Sequence, residues 1–457
     1  MTRNAFIVLI AAALGGCALS APPKQEETRV QSLPNVVVPP QWAEQGGAPG
    51  VVMKGWIGGF KDPRLEALVR DALMYNPDLL LAAARMDQAA GYVRLAGATL
   101  YPQVNLLARG GGALSGDSSG LEGVGVFASW ELDLWGRVRA GREAAQLQYL
   151  SAELDAEYAT QSIAAMVAKS WFLATEARLQ KTNAEETVRS AQRLLGLAQD
   201  RLRVGRGDEF DLAIAKANLQ TYRDIVQQLD LAYRQALRAL ETLVGRYPAA
   251  AIEVPPQLAA KPGPVPVGMP SELLERRFDV VAAERRVAAA FFRTEEAKAA
   301  RLPQISLTAA VTSISSELFV LKERDNPVWS AGASLLAPLY LGGALQSQVE
   351  IRTAEQKLAV AEYGRIGARA FSEVEGALSS GFALDRRAMI LTQAVADNER
   401  ALELANVRYR VGSGDLRAVQ QQQLAVYGAR TSLIRVQTEQ LVQRVNLYLA
   451  LGGGWRN

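Results

Sequence analysis

The hydrophobic pattern of this chain changes its period twice in the first half. Residues 64 to 100 are rich in Ala and Leu and contain no proline after Pro77, which predicts a helix that ends before Pro102. The segment VGVFASWELDL at 124–134 then alternates with a period of two, with Val, Ala, Trp and Leu on one face and Gly, Phe, Ser, Glu and Asp on the other. A second helical stretch without proline runs from about 137 to 203, long enough to reach roughly 100 Å.

The second half repeats this order of patterns. The alternating segments ISLTAAV (305–311) and WSAGASLLAPL (329–339) precede another proline-free helical stretch at 345–410. Each half is therefore expected to hold a helix, a β-hairpin, a long helix and a returning helix. The expected hairpins span 103–135 and 304–340, with polar tips at 116–120 and 322–327, and the returning helices span about 211–245 and 418–450.

Sequence similarity between the halves favours a duplicated unit. The segment YNPDLLLAAARM (75–86) aligns with RRFDVVAAERRV (276–287) at an offset of 201 residues. The same offset places YPQVNL (101–106) over LPQISL (302–307) without a gap. Matches that recur in the same order predict two structural repeats rather than a chance similarity.

A glycine-containing hexapeptide also occurs twice, as RVGRGD at 203–208 and RVGSGD at 410–415. Each copy lies where a long helix ends and a returning helix begins, so we expect two helical hairpins that reverse there. The glycines are expected to supply left-handed backbone, and the aspartates the N-caps of the returning helices. The residues concerned are Gly205, Gly207, Gly412 and Gly414, with Asp208 and Asp415. A phosphate loop is disfavoured because no GKS/T follows, whereas a turn without further function stays open.

The alternating strands also predict an oligomer. One-sided strands of about ten residues with Trp on the apolar face are typical of transmembrane β-barrels. A soluble sandwich is the alternative, but its strands usually have about five to six residues. Four strands cannot close a barrel of useful bore, and open sheet edges are not tolerated in lipid. Several copies of the chain are therefore expected to share one barrel.

Composition excludes several classes of function. The chain contains no histidine and one cysteine, which excludes histidine-based acid–base catalysis and an intrachain disulfide. The formal net charge of +3 is too weak to indicate a nucleic-acid partner. An enzyme would need a carboxylate pair or a Ser/Lys site, and no clustered motif of that kind is present. We therefore expect neither catalysis, nor a metal site, nor a bound cofactor.

The single cysteine lies at the end of an export signal. Arg3 precedes an apolar run at 5–14, which is too short to span a bilayer but has the length of a signal-peptide core. The following LGGC, ending at Cys17, resembles a bacterial lipobox, and the resemblance implies cleavage before Cys17 and a covalent lipid, including palmitate, on it. Ala18 favours sorting to the outer membrane. An ordinary secretory signal with an incidental cysteine is the alternative.

The pattern as a whole predicts five regions. Seven prolines between 246 and 270 indicate an extended linker between the repeats. The regions are a signal peptide at 1–16, a lipid-anchored extended arm at 17–60, a first repeat at 61–245, the linker at 246–270 and a second repeat at 271–457.

Motifs along nearly the whole mature chain resemble one family. They are NPDLLLAAAR (76–85), YPQV (101–104), SWELDLWGRVRA (129–140), PSELLERRFDVVAAERRVAAA (270–290), APLYLGGAL (337–345), RYRVGSGD (408–415) and LALGGGW (449–455). In this order they resemble the TolC-like outer-membrane factors, in particular the lipoprotein branch that serves resistance-nodulation-division efflux pumps. The resemblance implies a mainly α fold with β: a homotrimer with four strands per protomer in an outer-membrane β-barrel, continuous with a long periplasmic α-helical barrel.

The resemblance further implies an export duct for small molecules, anchored in outer-membrane lipid. Its periplasmic aperture would be formed by the hexapeptide turns, which would dock a periplasmic adaptor (membrane fusion) protein bound to the inner-membrane pump. The implied tip residues are Arg203, Gly205, Gly207, Asp208, Asp211, Tyr409, Arg410, Gly412, Gly414, Asp415 and Gln421.

The chain departs from the family pattern at two places. Phe278 stands where the family usually has a proline, which changes the expected start of that helix. Ala418 and Gln421 stand where acidic residues often ring the pore, so we hypothesise that Asp415 and Asp211 help to hold the aperture closed. A lipid-anchored periplasmic coiled-coil adaptor or scaffold is the alternative function, although it leaves the two-faced strands without a role. The exported substrate is not specified by the sequence.

Overall fold

The computed structural model describes residues 21–44, 47–48, 50, 52, 55–109, 122–315 and 328–454. The protein is mainly helical with one small antiparallel sheet, which confirms the predicted class at that level. The helices are α1 (Gln25–Ser32), α2 (Pro63–Tyr75), α3 (Pro77–Ala98), α4 (Arg137–Arg203), α5 (Glu209–Val244), α6 (Leu273–Arg276), α7 (Phe278–Ala299), α8 (Ala344–Val411) and α9 (Leu416–Ala450), with 3-10 helices at Trp56–Phe60 and Pro270–Glu272. The strands are β1 (Gln103–Arg109), β2 (Glu122–Leu132), β3 (Gln304–Ser315) and β4 (Val328–Leu336).

Three of the sequence predictions concern residues that lie outside the described ranges. They are the signal peptide with Cys17 and the two hairpin tips at 116–120 and 322–327. Among the described helices, none combines the length and the apolar character needed to cross a membrane.

The four strands form one antiparallel sheet in the order β1-β2-β3-β4. Both predicted hairpins are present, and a β2–β3 pairing that the sequence did not predict joins them. Residues that pair directly across antiparallel strands lie on the same face. One face therefore carries the paired row of Leu106, Val126, Val311 and Trp329. The opposite face is largely small and polar, with Ser129 paired to Thr308 and Ser306 paired to Ser334.

The helix predicted over 64–100 is divided in two at Asn76. Asn76 is extended (φ −68°, ψ 125°), and its side-chain oxygen accepts a hydrogen bond of 2.8 Å from the backbone N–H of Asp78. Pro77 explains the break, because proline lacks an N–H and disfavours helical backbone in the residue before it. The prediction of a single helix over 64–100 was therefore wrong at Pro77, although the residues on both sides of the break are helical.

A matching break occurs in the second half without a proline. Arg277 separates α6 from α7 and is also extended (φ −77°, ψ 122°). Its side chain is buried and donates to the Glu373 carboxylate at 2.6 Å and to the Ala450 carbonyl oxygen at 3.3 Å. Tertiary contacts thus hold this residue out of the helix, and Phe278 begins α7 despite the missing proline.

Two compact units divide the chain. One comprises residues 83–155 and 279–367 with the N-terminal residues to Val36, and it contains the whole sheet and a small cluster of Ala140, Ala144 and Phe292. The other comprises 37–82, 156–278 and 368 onwards, and it contains the larger core. In that core Trp56 stacks on Tyr448 (ring centroids 5.5 Å apart) and Phe60 packs on Phe172 (5.0 Å).

The predicted extended arm contains regular structure that sequence analysis missed. Residues 25–32 form α1, and residues 56–60 form a 3-10 helix whose Trp56, Ile57 and Phe60 are buried. The helix α1 has two acidic residues in its first turn and a basic residue in its last, an arrangement favourable to the helix dipole. This charge pattern is a sequence signal for α1. It was missed because the Pro, Gln and Gly residues around it suggested an extended segment.

Candidate functional site: the paired helix turns

The first hexapeptide forms the reversal between α4 and α5. Gly205 has a left-handed backbone (φ 70°), and its N–H donates to the Leu202 carbonyl oxygen at 3.0 Å. The N–H of Arg206 donates to the Arg201 carbonyl oxygen at 2.9 Å, so the last carbonyls of α4 are satisfied. Asp208 caps α5 by accepting from the N–H of Phe210 at 3.1 Å.

The second hexapeptide reverses the chain between α8 and α9 in the same manner. Gly412 has φ 89° and donates to the Tyr409 carbonyl oxygen at 3.2 Å, while Ser413 donates to the Arg408 carbonyl oxygen at 3.0 Å. Asp415 caps α9 by accepting from the N–H of Ala418 at 2.7 Å. The backbone bonds of the two turns are therefore equivalent, whereas the caps differ: Asp208 accepts from the residue two positions on and Asp415 from the residue three positions on.

The second glycine of each hexapeptide has a different role from the one predicted. Neither Gly207 nor Gly414 has left-handed backbone. A Cβ at Gly207 would lie 2.6 Å from the backbone nitrogen of Leu202, and a Cβ at Gly414 would lie 3.0 Å from the Cβ of Arg408. These glycines are required, to different degrees, because the returning chain passes close to the end of the preceding helix.

The two turns contact each other through a buried tyrosine. Tyr409 is 1% exposed, and its packing partners come from all four helices of the two hairpins. The buried residues of this cluster are Leu194, Ala198, Ala215, Tyr409, Leu416 and Val419. A hydrophobic cluster of this kind holds the two hairpin ends together.

Arg201 adds a polar link between the turns that sequence analysis missed. Its guanidinium carbon lies 4.4 Å from the centre of the Tyr409 ring, and its Nη1 donates to the Tyr409 carbonyl oxygen at 2.5 Å. A second cation–π contact joins Arg417 to Phe210 at 5.2 Å. The only sequence signal for Arg201 is that it aligns with Arg408 at the hexapeptide offset, which does not identify its partner.

Electrostatics at the turns centre on the same tyrosine. Burial raises the pKa of the Tyr409 hydroxyl, the Asp211 carboxylate raises it further, and the Arg201 guanidinium lowers it. Asp211 therefore lies within electrostatic range of Tyr409 in the first turn of α5. The turn as a whole combines acidic, basic and aromatic groups.

The remaining predicted tip residues lie on the surface of the turns. Arg203 pairs with Asp200 at 2.7 Å on an exposed face of α4, and Arg410 is exposed at the end of α8. Ala418 and Gln421 are exposed in the first turns of α9. The structure thus brings Tyr409 and Asp211 together with Arg201, and leaves Arg203, Arg410 and Gln421 accessible to other molecules.

Nothing in the described residues suggests a metal centre, because no group of three or more Asp, Glu, His or Cys side chains has the required spacing there. The arrangement is suited to binding another protein. Both turns present hydrogen-bond donors, carboxylates and exposed apolar residues such as Val204 and Val411.

Comparison with known proteins finds relatives over the whole chain. The family model described as outer membrane efflux protein matches residues 68–246 and 269–453. The pyoverdine export outer membrane protein OpmQ of Pseudomonas aeruginosa is 28% identical, covering 100% of this chain and 98% of that protein. The cation efflux system protein CusC of Escherichia coli is 30% identical, covering 98% of both chains. The solved structure of the outer-membrane channel OprN superposes with a TM-score of 0.82 at 26% identity, over 93% of this chain and 99% of that one.

Proposed function

We propose a mode of assembly for this chain, which belongs to the outer membrane efflux protein family and is an outer-membrane channel of a tripartite efflux system. From that membership we propose that it works as a homotrimer, in which each protomer contributes four strands to a shared twelve-stranded barrel. The helices of the three protomers would enclose the periplasmic part of the duct, and each chain would supply two structural repeats to it.

The observation that carries this proposal is a sheet with two open edges. Within the described residues, β1 pairs only with β2 and β4 only with β3, so both outer strands present unpaired backbone groups. The sheet also exposes an apolar face, with Leu106 70% and Trp329 76% exposed in the single chain. An open edge beside an apolar face is not tolerated in lipid, and closure between β4 of one copy and β1 of the next removes it.

The helix that leads into β1 supports the same assembly. No residue of α3 is buried, and Leu80, Tyr92 and Leu95 are largely exposed. A helix of this length is stabilised chiefly by tertiary packing of its apolar residues. We infer that a neighbouring protomer covers this helix in the trimer.

The paired turns would form the periplasmic aperture and the surface on which an adaptor protein docks. Support comes from the exposed charged groups Arg203, Arg410 and Asp415 at the ends of the helical hairpins. The adaptor would link the channel to an inner-membrane pump of the resistance-nodulation-division type. OpmQ is named for pyoverdine export and CusC for cation efflux, and both have about the same sequence identity to this chain. Sequence identity to these relatives therefore does not indicate which substrate this chain exports.

Covalent lipid on Cys17 would hold the N-terminus at the outer membrane. The support is the LGGC motif and the position of the single cysteine within it.

The native mass of the full-length protein in mild detergent tests the assembly. We expect a stable trimer that resists dissociation until the sheet melts, and a planar bilayer carrying it should conduct. A monomeric protein would contradict the shared barrel and would leave the anchored scaffold as the better interpretation.

A further inference from the structure

The arm between α1 and the 3-10 helix makes backbone bonds to the inter-repeat linker. The N–H of Ala48 donates to the Val265 carbonyl oxygen at 2.8 Å, and the N–H of Val267 donates back to the Ala48 carbonyl oxygen at 3.1 Å. These bonds form a parallel bridge, which the N–H of Gly268 extends by donating to the Gly50 carbonyl oxygen at 3.1 Å. The arm thus adds a short strand-like segment to a linker more than 200 residues away.

The same arm is fixed to α8 through a carboxylate and an aromatic pair. Glu375 accepts from the consecutive backbone N–H groups of Ala43 and Glu44 at 2.9 and 3.0 Å. The Trp42 ring lies 6.5 Å from the Phe371 ring, and its indole N–H donates to the Gly268 carbonyl oxygen at 3.2 Å. A charged acceptor serving two backbone donors is stronger than the corresponding neutral pair.

The arm and the linker also make close apolar contacts. A Cβ at Gly47 would lie 2.5 Å from the methyl carbons of Val267, so the arm backbone rests directly on that side chain. Val265 and Val267 are both buried. Contact of this kind requires the arm in one defined position.

The two ends of the linker are held by different parts of the chain. Residues 246–269 form no helix or strand, and buried backbone polar groups need partners. Near the start of the linker, the Glu241 carboxylate accepts from the backbone N–H groups of 250–252. Lys261 pairs with Asp385 of α8, which ties the middle of the linker to that helix. Beyond Lys261, the bonds to Ala48, Gly50 and Trp42 come from the arm.

We propose that the described arm residues 42–44, 47–48 and 50 act as an intrachain strap, which fixes the linker between the two repeats onto α8. The N-terminal arm is therefore a structural part of the joint between the repeats as well as a connection to the membrane. This inference concerns contacts within one chain and does not depend on trimer formation.

Amide hydrogen exchange of the full-length protein in detergent tests the strap. The informative amides are those of Val267 and Gly268, whose N–H groups donate to carbonyl oxygens of the arm and not to Glu375 or Trp42. We expect Glu375→Ala and Trp42→Ala to accelerate exchange at both amides by about tenfold or more, because release of the arm removes their acceptors. Glu403→Ala, which breaks an exposed ion pair on the same helix, is the matched control and should leave them unchanged.

One result would overturn the proposal. If Glu375→Ala exposed Ala43 and Glu44 to exchange while Val267 and Gly268 kept wild-type protection, the arm would not be what holds the linker in place. If Trp42→Ala fails to fold, Gly47→Ala provides a smaller change, because its single added methyl group meets Val267 and should push the arm away from the linker, with the same faster exchange at Val267 and Gly268.

Discussion

At each helix turn, two glycines two residues apart satisfy different constraints. Gly205 and Gly412 have positive φ and open space where a side chain would begin, so replacement there costs only backbone strain, about 1–2 kcal/mol. Gly207 and Gly414 have ordinary φ but lie against the preceding helix. The repeated motif therefore encodes one turn geometry with two separate requirements.

The second glycines should differ in their tolerance of alanine. We expect Gly207→Ala to lower the thermal unfolding midpoint clearly more than Gly414→Ala, because its Cβ meets backbone at 2.6 Å whereas the Cβ at 414 meets a side-chain carbon at 3.0 Å. The difference should be about 1–2 kcal/mol by circular dichroism. Gly196→Ala, inside α4 with open space around it, is the control and should be neutral or stabilising. Equal losses at 207 and 414 would contradict this account.

Substitutions of the carboxylates at the turns can separate the effect of their charge from their effect as helix caps. Asp415 caps α9, so Asp415→Ala would weaken the helix start by about 1 kcal/mol as well as removing charge. Asp415→Asn keeps the capping acceptor, and combining it with Asp211→Asn removes both charges. If these carboxylates hold the aperture closed, the double Asn variant should show a several-fold higher basal conductance in planar bilayers.

The control for that measurement is Glu403→Gln, an exposed carboxylate on α8 away from the turns. Unchanged conductance and unchanged leakage of the double variant would show that Asp211 and Asp415 do not gate the channel.

Among the elements, the sheet allows the clearest test of the proposed barrel, because the register of its strands defines which residues lie on each face. Leu307 and Thr308 are adjacent and both exposed in the single chain, but they lie on opposite faces. In a membrane barrel Thr308 should face water in the lumen and Leu307 should face lipid.

Cysteine substitution distinguishes these positions. In lipid vesicles, Thr308→Cys should react with a charged, membrane-impermeant thiol reagent at least tenfold faster than Leu307→Cys. The single native cysteine is Cys17, and Cys17→Ser removes any background from it. Equal reactivity, or the reverse order, would rule out the proposed orientation of the sheet.

Sequence periodicity was sufficient to predict the strands and the long helices. It could not predict which elements and side chains contact each other. The alternation at 124–134 and the proline-free stretches correspond to β2, α4 and α8, because these elements follow local rules. The β2–β3 pairing joins segments more than 170 residues apart, and local pattern carries no information about it. The same holds for the Arg201–Tyr409 contact. Both residues can be read from the sequence, but their pairing depends on how the two helical hairpins pack against each other.

On the scale of the whole molecule, the chain leaves several surfaces incomplete. Within the described residues, β1 and β4 have open edges, one sheet face is apolar and exposed, and α3 has no buried residue; the proposed trimer would cover all three. The sequence already supports the proposed oligomer through strand number, whereas nothing in the sequence indicates the proposed strap. Its bonds to the linker join backbone groups in segments with no periodic pattern, and its contacts with Glu375 and Phe371 fall within a long helix whose own pattern does not indicate them.

The breaks at Asn76 and Arg277 share a long-range bond as well as an extended backbone. Asn76 donates from Nδ2 to the Leu243 carbonyl oxygen at 2.7 Å, and Arg277 donates to the Ala450 carbonyl oxygen at 3.3 Å, so each break is bonded to the last turn of the following returning helix. Arg277 adds an ion pair with Glu373 at 2.6 Å. The last turn of α9 therefore completes the start of α7, and a chain shortened before Ala450 would lack this acceptor for the buried Arg277 guanidinium.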